Sequence, residues 1–329
     1  MTPVPYLRTP DESFNTIPDF PYRPQYLTHN GLRIAYIDEH NATSAADEPD
    51  VFLCLHGQPT WSYLYRKMIP VLLNHTTRTS LGPRRVVCPD LLGFGRSDKP
   101  RREEDYTFHF HRNMLLHVIR KLDLRNITLV VQDWGGLLGL TLPTEEPSRF
   151  KRLLVMNTTI AAGAKPTEGF VAWKAYNNSQ PDMDIGRLIG RGTPHLSKEE
   201  IAAYNAPYPS VEYKSGVRRF PNLVMVDAKM DGADESRRSL DFFKTNSQFG
   251  ANDIFMACGM ADPVLGPQVM AGLAKVWRNG CLWTEIGPAG HFVQEWGDIV
   301  AQRAIEAFEN DGKAEGVVRK STMTAAPKL

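Results

Sequence analysis

Three polar residues in separate parts of the chain could act together as a nucleophile, an acid and a base. Asp133 follows the apolar run ITLVVQ, Asp262 follows DIFMACGMA, and His291 lies in GPAGHFVQEWG. A carboxylate is ionised at neutral pH, so Asp133 needs no base before it attacks carbon. A histidine could then activate water, and a second carboxylate could orient that histidine. These residue types predict hydrolysis through a covalent ester on an aspartate.

Each of these residues also has a simpler structural interpretation. An aspartate after a strand commonly caps the following helix, and a single histidine is more often a hydrogen-bonded structural residue. Gly135 and Gly136 favour a tight strand-to-helix turn at Asp133, where G-x-S-x-G enzymes carry their serine. Val131 replaces the first glycine of that pattern. The chain order of nucleophile, acid and histidine favours the catalytic interpretation.

The elements that must position these residues alternate between strands and helices. Continuous apolar runs predict strands buried on both faces, and helical patterns lie between them. We therefore expect a mostly parallel central sheet flanked by helices, and the order of the candidate residues along the chain indicates the α/β-hydrolase fold. The candidate residues would all follow strands, at the sheet edge where the active sites of such folds lie. The predicted strands are VFLCLHG (51–57), RVVCPD, ITLVVQD, RLLVMN (152–157), DIFMACGM (253–260) and LWTEIG.

The alternation stops between Asn157 and about Asp231, which predicts an insertion. Aromatic residues, prolines and helix starts occur there, but no apolar run of the core type. We expect residues 158–230 to form a helical cap over the strand ends. Residues 1–157 and 231–310 would form the core domain.

Two helices can be predicted from their own sequences. LSKEEIAAY begins with Ser197 and carries Glu200 three residues later, the pattern of a capping box. The last helix, DIVAQRAIEAFEN, is followed by a polar tail, residues 311–329, that we expect to be disordered. This helix presents four apolar residues on one face, Ile299, Val300, Ile305 and Phe308.

The composition excludes several classes of partner and location. A formal net charge of +1 and short basic clusters argue against binding to nucleic acid or to an anionic membrane surface. No run reaches the ~18 apolar residues of a membrane span, and the N-terminal residues lack the signal-peptide pattern. Four cysteines without a CxxC pair predict a reducing, cytoplasmic location. The terminal Pro-Lys-Leu resembles the peroxisomal S-K-L signal only loosely.

The segment CLHGQPTW predicts the loop of an oxyanion hole. His56 and Gly57 follow a strand, as in the loop that donates one oxyanion N–H in this fold. The backbone N–H groups of Gln58 and Trp134 are the candidate donors, because backbone donors need little reorganisation. A simple turn shaped by Pro59 is compatible with this role.

An aspartate nucleophile suits attack on an sp³ carbon, which leaves two possible leaving groups. A halide needs N–H donors, and the indoles of Trp134 and Trp173 could supply them. Trp173 could equally be a packing residue. An epoxide oxygen needs an acid, commonly paired tyrosines. Four tyrosines of the predicted cap keep that alternative open, Tyr176, Tyr204, Tyr208 and Tyr213.

Six longer motifs resemble those of haloalkane dehalogenases, from about Leu7 to Phe308. The resemblance is strongest to the subgroup typified by the 1,2-dichloroethane-degrading enzyme. Asp262 follows the late strand and Trp173 lies in the predicted cap, whereas Asn157 replaces the acid of other subgroups. The motifs are FLCLHGQPTWSYLYRKMIP, LLGFGRSDKP, RNITLVVQDWGG, GVRRFPNLV, GMADPVLGP and AGHFVQEWG.

This resemblance implies a role for each matched residue. Asp133 would be the nucleophile, His291 the base and Asp262 its orienting acid, while Trp134 and Trp173 would bind halide. The implied reaction converts a small halogenated aliphatic substrate to an alcohol, a halide and a proton, with no metal or organic cofactor. The implied assembly is a monomer or a dimer. The resemblance assigns the substrate pocket to Phe170, Phe220, Pro221, Val224, Val264, Leu265 and Leu137.

Three departures from the subgroup concern the pocket. Gln58 replaces a glutamate, so a side chain that positions water would act through an amide. Leu137 replaces a phenylalanine beside the halide, and residues 158–167 form a shorter segment.

An epoxide hydrolase and a non-catalytic binding protein of the same fold remain the alternatives.

Overall fold

The computed structural model describes residues 4–41, 48–79 and 82–321. The strands in this part are β1 (Tyr6–Leu7), β2 (Gln25–His29), β3 (Leu32–His40), β4 (Asp50–Leu55), β5 (Arg84–Pro89), β6 (Lys99–Pro100), β7 (Ile127–Val131), β8 (Phe150–Met156), β9 (Ile254–Gly259), β10 (Cys281–Ile286) and β11 (Val317–Lys320). The α-helices are α1 (Ile69–Asn74), α2 (Phe108–Lys121), α3 (Trp134–Gly139), α4 (Glu168–Ser179), α5 (Ile185–Gly192), α6 (Lys198–Ala203), α7 (Ser215–Arg219), α8 (Ala233–Thr245), α9 (Pro267–Ala274) and α10 (Gly297–Glu309). Short 3-10 helices span Asp11–Phe14, Ser62–Tyr65, Glu103–Asp105, Pro147–Arg149, Val211–Lys214, Phe220–Asn222 and Val293–Trp296.

Nine strands form one sheet in the order β11-β10-β9-β8-β7-β4-β5-β3-β2. The strands from β10 to β5 in this order pair in parallel, whereas β11, β3 and β2 join by antiparallel pairing. Every residue of β7 and β9 is buried, because helices cover both faces of the sheet. This arrangement confirms the predicted α/β-hydrolase fold with its mostly parallel sheet. None of the helices in the described ranges has the length and apolar character needed to cross a bilayer.

All six predicted strands are confirmed, and the sequence analysis missed the edge strands β2 and β11, the neighbouring strand β3 and the separate pair β1 and β6. The expected disorder of residues 311–329 is wrong for β11, which pairs with β10 through register partners such as Trp283 and Val318. The edge of β10 offers unpaired backbone groups, and β11 satisfies them. Residues 322–329, with the terminal Pro-Lys-Leu, lie outside the described residues.

Helix α10 is confirmed, but one residue of its predicted apolar face points elsewhere. Val300 and Ile305 are buried and Phe308 packs partly against the core. Ile299 is 42% exposed, because its neighbour Val300 takes the inward position of that turn.

Between β8 and α8 the described chain forms helices α4 to α7 and no strand. The predicted capping box is present in α6: Glu200 N–H donates to Ser197 Oγ at 3.1 Å, and Ser197 N–H donates to the Glu200 carboxylate at 2.8 Å. The helical character of this segment agrees with the expected cap. The division into a core and a cap of residues 158–230 stays a prediction.

A buried ion network joins α6 to the two 3-10 helices beneath it. Arg66 donates to both carboxylate oxygens of Glu295, at 2.7 and 2.8 Å, and to Glu200 at 2.7 Å. The hydroxyl of Tyr204 also donates to Glu295. Arg66 and Glu295 are both buried, so each charge depends on the other for compensation.

We therefore expect Glu295→Ala to lower the free energy of unfolding by about 3–5 kcal/mol, since it leaves the Arg66 charge buried without its main partner. Urea denaturation followed by circular dichroism measures this loss. Lys151→Met is the matched control, because it removes the exposed ion pair with Asp50 and should cost less than about 1 kcal/mol. A Glu295→Ala protein no less stable than the control would contradict the prediction.

Candidate active site

Five neighbouring strands carry the candidate residues at one edge of the sheet. In spatial order, β10, β9, β8, β7 and β4 are followed by His291, Asp262, Asn157, Asp133 and Gln58. Parallel strands end at the same edge, so residues that are distant in the sequence converge there. The sheet order explains why three side chains from separate segments can form one site.

The turn between β7 and α3 holds Asp133 in a backbone conformation that is unusual for a non-glycine residue, with φ 50° and ψ −125°. Such a conformation costs on the order of 1–3 kcal/mol and persists only where its surroundings impose it. Here Asp133 N–H donates to the Asn157 carbonyl at 3.0 Å, and the Thr158 hydroxyl donates to the Asp133 carbonyl at 2.7 Å. Gly135 is required at this turn, because a Cβ there would lie 1.9 Å from the Leu55 carbonyl oxygen.

The carboxylate of Asp133 does not serve as a helix cap. It makes no side-chain capping bond to α3, and its Oδ1 instead accepts the backbone N–H of Gln58 at 2.8 Å. A Cβ on Gly57 would lie 2.2 Å from the same oxygen, so only glycine leaves room for this carboxylate. The geometry favours the nucleophile over the capping interpretation.

The three candidate residues form a continuous line. His291 Nε2 lies 3.5 Å from Asp133 Oδ2, and His291 Nδ1 lies 2.8 Å from Asp262 Oδ2. A neutral imidazole with its proton on Nδ1 would donate to Asp262 and present its Nε2 lone pair to the region of Asp133. This is the arrangement that a general base requires.

Asp262 is held as an anion by several donors. Its Oδ1 accepts the N–H groups of Val264 and Leu265 at 2.8 and 3.1 Å, and its Oδ2 accepts the Asn157 side-chain amide at 2.9 Å. Burial alone would raise the pKa of Asp262, but His291 and these hydrogen bonds outweigh it and lower the pKa to about 2. The residue is therefore suited to orient the histidine rather than to exchange protons.

The pKa of His291 reflects the two carboxylates beside it. Burial alone would lower this pKa, but the charges of Asp262 and Asp133, with their hydrogen bonds, raise it to about 10. The free protein therefore favours the imidazolium form at neutral pH. Removing one of the two negative charges would lower this pKa and increase the fraction of neutral base.

Of the two predicted oxyanion donors, one contacts the carboxylate of Asp133 and the other follows Asp133 directly in the chain. Gln58 N–H already bonds to it, and Trp134 is the first residue of α3, where backbone N–H groups have no partner within the helix. The side-chain amide nitrogen of Gln58 donates to the Val217 carbonyl at 2.9 Å and to Asn177 at 3.2 Å. Its amide oxygen accepts no hydrogen bond from the described residues, so only that end of the side chain remains for water.

A cavity of about 290 Å³ adjoins Asp133 and His291. Most of its wall is apolar, which suits a small aliphatic ligand. The predicted pocket residues found in this wall are Leu137, Phe170, Pro221, Val224, Val264 and Leu265. Residues that the sequence analysis did not assign to it include Ile160, Lys165, Leu188, Met225, Pro263 and Phe292.

Phe220 is the one predicted pocket residue that does not line this cavity. It is buried, and its ring packs edge-on against Trp134 with ring centroids 4.8 Å apart. The short 3-10 helix Phe220–Asn222 turns Pro221 toward the cavity and Phe220 behind the indole. Phe220 therefore supports Trp134 rather than contacting a ligand in this cavity.

Trp134 and Trp173 both line the cavity. Within the described residues, neither indole N–H has a hydrogen-bond partner, whereas the indoles of Trp61, Trp277 and Trp283 all do. A polar N–H in an apolar cavity is costly unless a ligand satisfies it. Two such donors are suited to hold an anion.

The tyrosines that an epoxide hydrolase would need lie elsewhere. None of the four candidates is among the described residues that line the cavity. Tyr204 donates to Glu295, and Tyr208 donates to the Pro59 carbonyl at 3.1 Å. Tyr176 is exposed, and Tyr213 packs partly against the core. The geometry favours a halide over an epoxide oxygen as leaving group.

Sequence reasoning missed two residues that contact the proposed catalytic groups. Asn157 bridges Asp262 and the backbone of Gly259, and Gln132 contacts His291. Both are polar residues at or just after the carboxyl end of a buried strand, which is the signal that could have identified them. Across residues 4–41, 48–79 and 82–321, no group of three His, Cys, Asp or Glu side chains could hold a metal ion.

Comparison with known proteins identifies both the fold and the family. Residues 50–298 match the family model of the α/β-hydrolase fold. A haloalkane dehalogenase of Psychrobacter cryohalolentis is 40% identical over 317 residues, which cover 93% of this chain and 98% of the relative. A haloalkane dehalogenase of Mycolicibacterium paratuberculosis is 39% identical over 79% of this chain and 83% of its own.

A similar solved structure belongs to the same family as both sequence relatives. It is a tetrameric haloalkane dehalogenase of Paraglaciecola agarilytica, 44% identical, with a TM-score of 0.84. The alignment covers 92% of this chain and 98% of that one. The chain therefore belongs to the haloalkane dehalogenases, hydrolases that act on halogenated substrates.

Proposed function

We propose that this haloalkane dehalogenase works through an alkyl ester on Asp133, with His291 as base and Asp262 as its orienting acid. One observation carries the proposal. His291 lies 3.5 Å from Asp133 and 2.8 Å from Asp262, beside a cavity lined by Trp134 and Trp173, whose indole N–H groups have no hydrogen-bond partner among the described residues. No cofactor is needed for either step.

In the first step, a carboxylate oxygen of Asp133 attacks the carbon that bears the halogen. A carbon–oxygen bond forms, the carbon–halogen bond breaks, and the halide leaves with the electron pair. The indole N–H groups of Trp134 and Trp173 stabilise the negative charge that develops on the halogen. Burial in an apolar cavity strengthens these hydrogen bonds.

In the second step, His291 takes a proton from water as the water oxygen bonds to the ester carbon of Asp133. The backbone N–H groups of Gln58 and Trp134 receive the oxyanion, and the alcohol leaves with the proton from His291. Asp133 is then a carboxylic acid, and loss of its proton to solvent regenerates the carboxylate. Esterification removes the charge of Asp133, so the pKa of His291 falls when a neutral base is required. Formation of the ester on Asp133 therefore also favours the neutral His291 that its hydrolysis requires.

We also infer that the chain belongs to the subgroup of the 1,2-dichloroethane-degrading enzyme. Asp262 supplies the acid after β9, while Asn157 after β8 is its hydrogen-bond partner and not a second acid. Trp173 of α4 supports the same assignment, because it lines the cavity. Leu137 and the short segment 158–167 support a substrate preference different from that of the type enzyme.

Halide release from bromoalkanes and chloroalkanes of increasing chain length tests the proposed activity. We expect release from 1,2-dibromoethane and 1-bromobutane, and no diol from styrene oxide. Asp133→Asn is the control, since an amide is no nucleophile and release should stop. A folded protein that forms diol and releases no halide would support an epoxide hydrolase. Ligand binding without turnover would support a binding protein.

Assembly and location complete the proposal. The sequence favours a monomer or dimer, whereas the relative from Paraglaciecola agarilytica is tetrameric. Val171 and Tyr176 leave an apolar face of α4 exposed, which supports association beyond a monomer. Light scattering measures this state directly. A cytoplasmic location is supported by the unpaired cysteines, and fractionation of cells tests it.

A further inference from the structure

A buried glutamine next to the nucleophile contacts the base directly. Gln132 is 1% exposed, and its amide nitrogen lies 2.9 Å from His291 Nε2 and 3.0 Å from the His291 carbonyl oxygen. A carbonyl oxygen only accepts hydrogen bonds, so the amide nitrogen, and not its oxygen, must face it. On its other side, the Gln132 amide oxygen accepts a long hydrogen bond of 3.4 Å from Gln294.

The contact at Nε2 requires an unprotonated nitrogen. Gln132 can donate to Nε2 only when that atom presents its lone pair, with the ring proton on Nδ1 facing Asp262. Asp133 Oδ2, 3.5 Å from the same Nε2, can accept only when Nε2 carries a proton. One nitrogen cannot donate and accept at once. Gln132 and Asp133 therefore favour opposite protonation states of His291.

Formation of the alkyl ester determines which protonation state of His291 is favoured. The charged groups that face His291 are Asp133 and Asp262. In the free enzyme both carboxylates favour the imidazolium. In the alkyl-enzyme Asp133 is a neutral ester, and Asp262 retains the proton on Nδ1. Gln132 is then the only one of these partners that can bond to Nε2 before water arrives.

We propose that Gln132 is a positioning residue for hydrolysis of the alkyl-enzyme. Its side-chain amide fixes the orientation of the His291 ring and keeps Nε2 unprotonated. The inference rests on the proposed roles of Asp133 and His291. When water takes over Nε2, the second amide N–H can stay on the His291 carbonyl, so the ring keeps its orientation. The water proton then moves to Nε2, the water oxygen bonds to the ester carbon, and the alcohol carries that proton away.

Gln132→Met tests this role, because it keeps the side-chain length and removes the donor. Without a donor to the neutral form, the pKa of His291 in the alkyl-enzyme rises, so a larger fraction of the base is protonated at a given pH. In the pH profile of the ester-hydrolysis rate, we expect the acid limb to move up by about one pH unit. At pH values below the limb, this shift is a ~10-fold loss of rate. Formation of the ester should be unchanged. Rapid-quench mass spectrometry measures the two steps separately.

Two further variants keep the test decisive. Gln132→Glu places an acceptor beside Nε2 and should move the limb in the same direction by more. Gln302→Met is the matched control, because exposed Gln302 on α10 donates to Glu306 and does not contact Gln132 or His291, so it should leave the limb in place. An unmoved limb in Gln132→Met, or, if that variant does not fold, in Gln132→Glu, would overturn the inference. A native enzyme that forms no ester would instead refute the proposed function.

Discussion

In His291→Gln, we expect the reaction to stop after halide release, with the alkyl ester trapped on Asp133. The first step needs no base, so one halide should still leave per active site. The second step loses the group that takes the proton from water, which is worth on the order of 10³-fold in rate. Intact mass after incubation with 1-bromobutane should therefore increase by one butyl group, and peptide mapping should place it on Asp133.

The position of His291 makes this trap specific. Its Nδ1 is fixed by Asp262 at 2.8 Å, so glutamine cannot reproduce a base that is oriented and polarised in this way. His29→Gln is the matched control, because His29 lies on the outer strand β2 and its ring lies against that of His117, with centroids 4.7 Å apart. Full turnover by a folded His291→Gln protein, or an ester on another residue, would refute the proposed mechanism.

The core strands could be predicted because each is a continuous apolar run. β7 and β9 are buried along their whole length, so their sequences carry a strong signal. β2 and β11 are edge strands with mostly exposed side chains, and their stability comes from pairing with β3 and β10. That information lies in the neighbouring strand and not in their own residues.

The candidate site likewise contains residues that could be predicted from the sequence and residues that could not. Asp133, Asp262 and His291 could be identified from residue type and chain order alone. The contacts of Gln132 and Asn157 depend on which strands are neighbours, since β8 lies between β7 and β9. Phe220 was assigned to the pocket by resemblance, but a short 3-10 helix has no periodicity that fixes its inward face.

The halide site offers the second large effect. Trp134→Phe and Trp173→Phe each keep an aromatic ring and remove one unpartnered indole N–H from the cavity wall. Since these donors stabilise charge that develops only as the halogen leaves, each substitution should slow formation of the alkyl ester by about 10²-fold. Single-turnover halide release from 1-chlorobutane measures this step. Affinity for free chloride, measured as product inhibition, should fall in parallel.

The rate of ester hydrolysis distinguishes a tryptophan that binds halide from one that only packs. Trp134→Phe retains its backbone N–H for the oxyanion, so an ester that has formed should hydrolyse at nearly the native rate. Trp283→Phe is the matched control, because its indole bonds to Glu285 on β10 and does not line the cavity. If both cavity variants slowed hydrolysis as much as ester formation, the indoles would be packing residues. Native chloride release by either would remove that tryptophan from the halide site.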